Sequence, residues 1–218
     1  MILEFLKRVR SLSRIERCSN QQKVNSYTVA EHSYYTAFLV MLISDMENKR
    51  ILNELALSEI EYPEDEIRRM LYDTSEVIKR ALIHDLEESI TGDILYPLKH
   101  ENSDELTNML RTVADKIVEN QLFSELPFGV RQYYIKLWRF SKDNTKEGRL
   151  VEAIDKFEIV LFCLEEMEIG NPSIVELYNN AMGIITRNFP EIISLQEIIE
   201  EIIKYCKKYT EAKENDLN

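Results

Sequence analysis

The dipeptide His84–Asp85, with a lone His32 upstream and a lone Asp155 downstream, carries more chemistry than any other pattern in the chain. Two imidazoles and two carboxylates form a mixed nitrogen and oxygen donor set for a divalent metal ion. Such an ion can turn bound water into a nucleophile at neutral pH. The chain has only three histidines, and two of them fall in this set. That points to a metal-dependent hydrolase rather than a passive helical domain.

For these donors to meet, helices must turn them toward a common interior. His32 falls in the row Val29, Thr36, Leu39, Val40 and Ile43, the apolar side of a helix at spacings of three and four. Val77, Ala81, His84 and Glu88 make one row of a later helix, and Ile78, Leu82 and Asp85 the next. His84 and Asp85 are then expected to point inward about 100° apart. Asp155 belongs to the row Val151, Glu158, Ile159 and Phe162. Burying two carboxylates is costly unless a cation compensates them, so the pattern argues for a metal. Singly, each residue has a plainer reading: a core histidine held by a hydrogen bond, or an aspartate serving as an ion pair or cap. His100, beside Lys99, reads as solvated and stays outside the set.

The remaining elements follow from breakers and caps. A first amphipathic helix runs to about Arg17, with Ile2, Leu3, Phe5, Leu6, Val9, Leu12 and Ile15 expected to dock on the domain's own core. A polar loop leads to Thr28-Val29-Ala30-Glu31, which fits a capping box and opens a second helix ending near Glu47. Residues 48–73 read as a charged helical excursion broken at Pro63, and a third major helix spans about Thr74 to Ile90, stopped by Thr91-Gly92. Asp93–His100 reads as an ordered loop, followed by helices over Asp104–Gln121, Phe128–Ser141, Lys146–Glu168, Pro172–Asn188 and Pro190–Glu211. No strand periodicity persists, so the fold is expected to be all-α: one compact multi-helix domain over 1–211 with a flexible tail at 212–218.

Composition agrees. Gly and Pro number five each, and 44% of residues are hydrophobic against 30% charged, ordinary for a globular helical protein. A formal charge of −12 argues against a nucleic-acid polymer as partner, because tracking phosphates needs a basic stripe. A small phosphate ligand stays open, its charge met by a metal and an arginine. Three cysteines without CxxC spacing fit a reducing cytoplasm, with Cys163 a core residue. The longest apolar stretch, Ala37 to Ile43, is far too short to span a bilayer, so no membrane partner is expected.

The segments TVAEHS (Thr28–Ser33), ALIHDLEESITGDI (Ala81–Ile94) and LVEAIDKFE (Leu150–Glu158) resemble the signature blocks of HD-domain phosphohydrolases, nearest to the bacterial 5′-deoxynucleotidase branch. The two letters HD are a weak signal alone. HDxxEsxTGD, with EH upstream and a DK element downstream in that order, is a specific one. The resemblance implies an all-α HD domain acting on a nucleotide, with His32, His84, Asp85 and Asp155 as metal ligands. It implies Glu88 and Asp93 as acid–base and water-positioning carboxylates and Arg17 as the phosphate-orienting arginine. Cys18 and the loop Asp93-Ile94-Leu95-Tyr96 would border the substrate. It further implies one divalent ion per chain (cobalt, manganese, zinc or another first-row ion, with magnesium possible), a homodimer, and hydrolysis of (deoxy)ribonucleoside 5′-monophosphates to nucleoside and phosphate.

Three departures bear on selectivity. Cys18 stands where the branch commonly carries a tryptophan, the proline after TGD comes later, at Pro97, and the stretch from His32 to His84 is long.

The residues themselves support such a reaction. Glu88, four after His84, projects from the same helical face one turn on, within reach for a proton transfer. Glu87 projects away and reads as solvated, while Glu158 reads either as a partner of a ligand or as a salt-bridge group. Gly92 lets the chain turn back so that Asp93 faces the site, although a cap is its plainer role. Two other functions stay open: a deoxynucleoside triphosphate triphosphohydrolase or nucleotide pyrophosphatase on the same scaffold, and a non-catalytic, metal-binding helical interaction domain.

Overall fold

The structure is a computed structural model that describes residues 2–95 and 104–216, with backbone only for 104 and 208–216. A first helix, α1 (Ile2–Ser11), passes through a short 3-10 turn (Leu12–Arg14) into extended chain. It stops well before Arg17 because Ser11 and Ser13 hydroxyls bond back to the Arg8 and Arg10 carbonyls, and the backbone then pairs elsewhere. Arg17 N–H donates to the Tyr27 carbonyl at 2.7 Å and Val29 N–H to the Ile15 carbonyl at 2.9 Å, making an isolated bridge between Glu16 and Thr28. Of the apolar residues of α1, only Phe5 is buried, while Ile2, Leu3 and Leu6 face outward.

The long helix α2 (Val29–Leu57) opens with the expected capping box, formed by the Thr28 hydroxyl and the Glu31 carboxylate. It continues well past Glu47, into the first part of the segment read as an excursion. Arg50 bridges Glu47 and Glu54 one turn either side, which supports helix in a charged sequence. Asn48 receives and returns hydrogen bonds with the Tyr72 backbone at 3.0 and 2.7 Å, fastening the end of the short α3 (Glu64–Met70) to α2. Next come α4 (Thr74–Ile83), the one-turn α5 (Glu88–Thr91), α6 (Asp104–Ile117) with a π-helical turn (Val118–Leu122), and α7 (Phe128–Arg139). The series ends with α8 (Lys146–Glu168), α9 (Val175–Asn188) after a 3-10 turn, and α10 (Ile193–Asp216).

Helices α2, α4, α8 and α9 pack around one core of Val40, Ile43, Val77, Ala81, Ile154, Phe157 and Ile185, while Phe5, Ile83, Leu122, Phe123 and Ile135 form a second cluster. Burying each large side chain stabilises by roughly 1.5–3 kcal/mol, enough in sum to carry a few buried charges between the clusters. Among the described residues there is no strand, and no helix is long and apolar enough to cross a membrane.

The expected single helix from Thr74 to Ile90 is broken. The Ala81 carbonyl, which a continuing helix would offer to Asp85 N–H, receives the His84 ring Nδ1–H at 2.7 Å. Backbone bonds then shorten to three-residue closures, from Leu86 to Ile83 and from Glu88 to Asp85. Asp85 is therefore aimed by a turn and not by the α4 row. Leu82, placed beside it on the sequence pattern, remains on the outer face, half exposed.

Candidate metal centre and its cavity

Three elements deliver the four donors. His32 stands one turn into α2, Asp155 sits in the middle of α8, and His84 and Asp85 occupy the turn after α4. One ligand atom from each lies within 4.8 Å of all the others, and all four residues are buried. His32 Nε2 is 3.0 Å from Asp155 Oδ1, His84 Nε2 is 3.0 Å from Asp85 Oδ2, and both cross distances are 3.6 Å. The two Nε2 atoms are 3.3 Å apart.

The hydrogen bonds on the far side of each ring decide what these atoms are. His84 Nδ1–H donates to the Ala81 carbonyl, and His32 Nδ1–H donates to the buried Glu158 carboxylate. With the rings neutral, as a metal requires of its imidazole ligands, each would turn a lone pair at Nε2 toward the other ring and toward two carboxylate oxygens. Asp155 Oδ1, fully buried, accepts a hydrogen bond from none of the described residues. Four nitrogen and oxygen donor atoms converging on one point fit a first-row divalent cation.

Glu158 Oε2 also accepts the Tyr27 hydroxyl, and Tyr27 stacks on Phe162 at 4.1 Å between ring centroids. This fixes the His32 ring from behind, the carboxylate–histidine arrangement that orients metal ligands. Of the two roles open to Glu158, the geometry favours that of a partner to the candidate ligand His32. Tyr27 carried no motif, and its only signal is its place immediately before the cap at Thr28.

Without a cation the cluster settles its charge through protons. Burial alone would lower the His84 pKa, but the Asp85 carboxylate lifts it to about 9. Burial would raise Asp155, yet Lys142 and Lys156 hold it well below the usual carboxylate range. Asp85 is depressed likewise, by His84, Lys142 and Arg17 against the cost of its burial. Both aspartates are thus anions ready to hold a metal.

A cavity of about 270 Å³ opens beside the donors, with Asp85 and Asp155 in its wall. Arg17 lines it, with Nη1 2.6 Å from Asp85 Oδ2, and its Nε is a buried donor with no acceptor among the described residues. Cys18, Asp93, Ile94 and Leu95 line it as well. Cys18 adopts a positive φ of 51°, and its N–H donates to Asp93 Oδ2 at 3.0 Å, tying the two loops together. Glu88 is buried with Oε2 4.0 Å from Arg17 Nη1, behind the arginine and not on the cavity wall. Tyr96 lies outside the described residues. Glu87, read as solvated, is half-buried and accepts the Trp138 indole N–H at 2.6 Å, because the turn at 84–87 rotates it toward α7.

The sequence pattern missed the opposite wall. Leu177, Asn180, Ala181 and Ile184 of α9 face the cavity, as do Lys142 and Lys156. Only Lys156, next to Asp155, lay inside a recognised block.

Known proteins match this architecture. The family described as 5′-deoxynucleotidase YfbR-like covers residues 4–206. A 5′-deoxynucleotidase of Pectobacterium atrosepticum is 26% identical over 167 residues, 77% of this chain and 74% of its own length. A 5′-deoxynucleotidase of Xenopus laevis is 26% identical over 205 residues, 92% of this chain and 86% of its own. Among solved structures, an HD-domain phosphohydrolase from Listeria innocua superposes with a TM-score of 0.72 at 27% identity, covering 93% of this chain and 88% of that one.

Proposed function

The chain belongs to the YfbR-like 5′-deoxynucleotidase family, and from that membership we propose that it hydrolyses (deoxy)ribonucleoside 5′-monophosphates to the nucleoside and inorganic phosphate. It is a metal-dependent phosphohydrolase. The observation that carries the reading is the convergence of four buried donor atoms within 4.8 Å at the edge of a cavity that also holds Arg17.

In this proposal His32, His84, Asp85 and Asp155 hold one divalent ion. When bound there, the ion supplies Lewis acidity that lowers the pKa of water from 15.7 toward about 7 and polarises a phosphoryl oxygen. Arg17 clamps the phosphate through its planar fork, for which the buried Nε without an acceptor gives support. Its ion pair with Asp85 keeps that fork beside the donor cluster. Glu88 holds Arg17 from behind, and in this proposal it exchanges by relay, since it stands off the cavity wall, the proton that must leave the attacking water or reach the departing 5′ oxygen. Asp93 holds the rim through Cys18 N–H and presents its carboxylate to the cavity. The less polar wall of Ile159, Leu177, Ala181 and Ile184 receives sugar and base, with Cys18, Ile94 and Leu95 bordering them.

A homodimer in a reducing cytoplasm belongs to the same proposal. Tyr34, Tyr35, Phe38, Met41 and Leu42 leave one side of α2 apolar and exposed, which supports self-association, and the described cysteines are free thiols. The test is a panel of ribo- and deoxynucleotides, mono- to triphosphate, assayed with manganese, cobalt, zinc and magnesium. Release of phosphate from monophosphates supports the reading; pyrophosphate or triphosphate released in its place overturns it.

A further inference from the structure

Two cations outside the expected set stand on the cavity side of the donor cluster. Lys142 Nζ lies 2.8 Å from Asp155 Oδ2 and 3.9 Å from Asp85 Oδ1. Lys156 Nζ lies 2.8 Å from the same Asp155 Oδ2. Asp155 is thereby divided: Oδ1 faces the two imidazoles, while Oδ2 faces two ammonium groups at the cavity wall.

One lysine is enough to balance one carboxylate oxygen. Lys156 is adjacent to Asp155 on α8 and is the less exposed of the pair, at 15% against 29%, so it serves as the resident counter-ion. Lys142 brings its ammonium to the cavity wall beside both carboxylates, from the side opposite the imidazoles. An ammonium carries three N–H donors and can hold Asp155 and a phosphoryl oxygen together.

The loop that carries Lys142 is built to hold it in place. Asp143 Oδ1 accepts Arg80 Nη1–H at 3.0 Å and Thr145 N–H at 3.1 Å, and Arg80 also reaches the Phe140 carbonyl at 2.7 Å. Gly148, in the first turn of α8, leaves room for Asp143, because a Cβ there would collide with the Asp143 backbone. Lys142 thus projects from a fastened corner and not from a loose loop.

We propose that Lys142 binds the substrate phosphate, as a second cationic arm beside Arg17. The inference rests on the phosphohydrolase reading above and adds to it a residue that lies outside every recognised sequence block.

The test uses the metal-loaded full chain and two variants, Lys142→Met and Lys142→Arg, with inorganic phosphate as the probe in titration calorimetry. The expected result is phosphate affinity about tenfold lower in Lys142→Met, about 1.4 kcal/mol, with metal content unchanged and most of the affinity restored in Lys142→Arg. KM for a monophosphate then rises more than kcat falls. Wild-type phosphate affinity in Lys142→Met, or a loss that merely tracks lost metal, overturns the proposal, as does a wild type that binds no phosphate. If phosphate binding depends on Lys142 but no nucleotide is hydrolysed, the anion site stands and the nucleotidase reading falls.

Discussion

His32 Nε2 and His84 Nε2 stand 3.3 Å apart, each turned there by a hydrogen bond on its own Nδ1. Two lone pairs in that arrangement repel unless a metal ion or a proton sits between them, so the bonds behind the rings matter as much as the donors in front.

Replacing Glu158 by Gln tests the bond behind His32. The amide keeps the volume but loses the charge that orients the ring and strengthens its lone pair. Metal affinity is expected to fall by about 10- to 100-fold, measured by competition with a chromophoric chelator. Unchanged affinity means the ring is held by packing alone.

Asp85→Ala is expected to lose both bound metal and turnover. It also strands the buried Arg17 guanidinium, whose 2.6 Å partner disappears. An uncompensated buried charge costs about 3–5 kcal/mol, so the urea midpoint should drop alongside the metal content. Elemental analysis showing full metal in an active Asp85→Ala protein removes the ligand assignment.

Glu88→Ala separates binding from turnover. The carboxylate approaches Arg17 and lies outside the donor cluster, so metal content should persist while kcat falls by about 10²- to 10⁴-fold. If the metal leaves with Glu88, its role is support of the cluster, and the proton transfer belongs to another group.

Acid stability should report on Glu166. This buried carboxylate accepts the Val24 and Asn25 N–H groups at 2.8 and 2.7 Å and the Asn171 amide at 2.7 Å. Burial would raise its pKa, but these donors hold it below the usual carboxylate value of 4.5. The folded value is therefore the lower one. The resulting stability is complete above about pH 4.5 and is lost as pH falls through the folded-state value. Glu166→Gln should cost about 1–3 kcal/mol at pH 7 and progressively less in acid. Denaturant midpoints of the two proteins that stay equally far apart down to pH 3 contradict this.

Much of the site could be read from residue spacing, and the reasons for the rest are specific. His32 and Asp155 lie inside long helices, where periodicity fixes direction, and both point where their rows place them. The helix over Lys146–Glu168 was legible to the residue, because Thr145 caps it and apolar residues recur along it without interruption. The turn at 84–87 was not, since no glycine or proline marks it and the histidine ring itself takes the helical carbonyl. Lys142 and the α9 wall belong to no motif. They reach the cavity through tertiary packing, which one-dimensional periodicity does not encode.

The hydrogen bond from Cys18 N–H to Asp93 Oδ2 joins the two lips of the substrate's doorway. Traffic through that doorway is thereby coupled to a side chain also expected to assist the chemistry. A slow Asp93 variant is accordingly ambiguous until the speed of nucleoside departure is timed separately from bond cleavage.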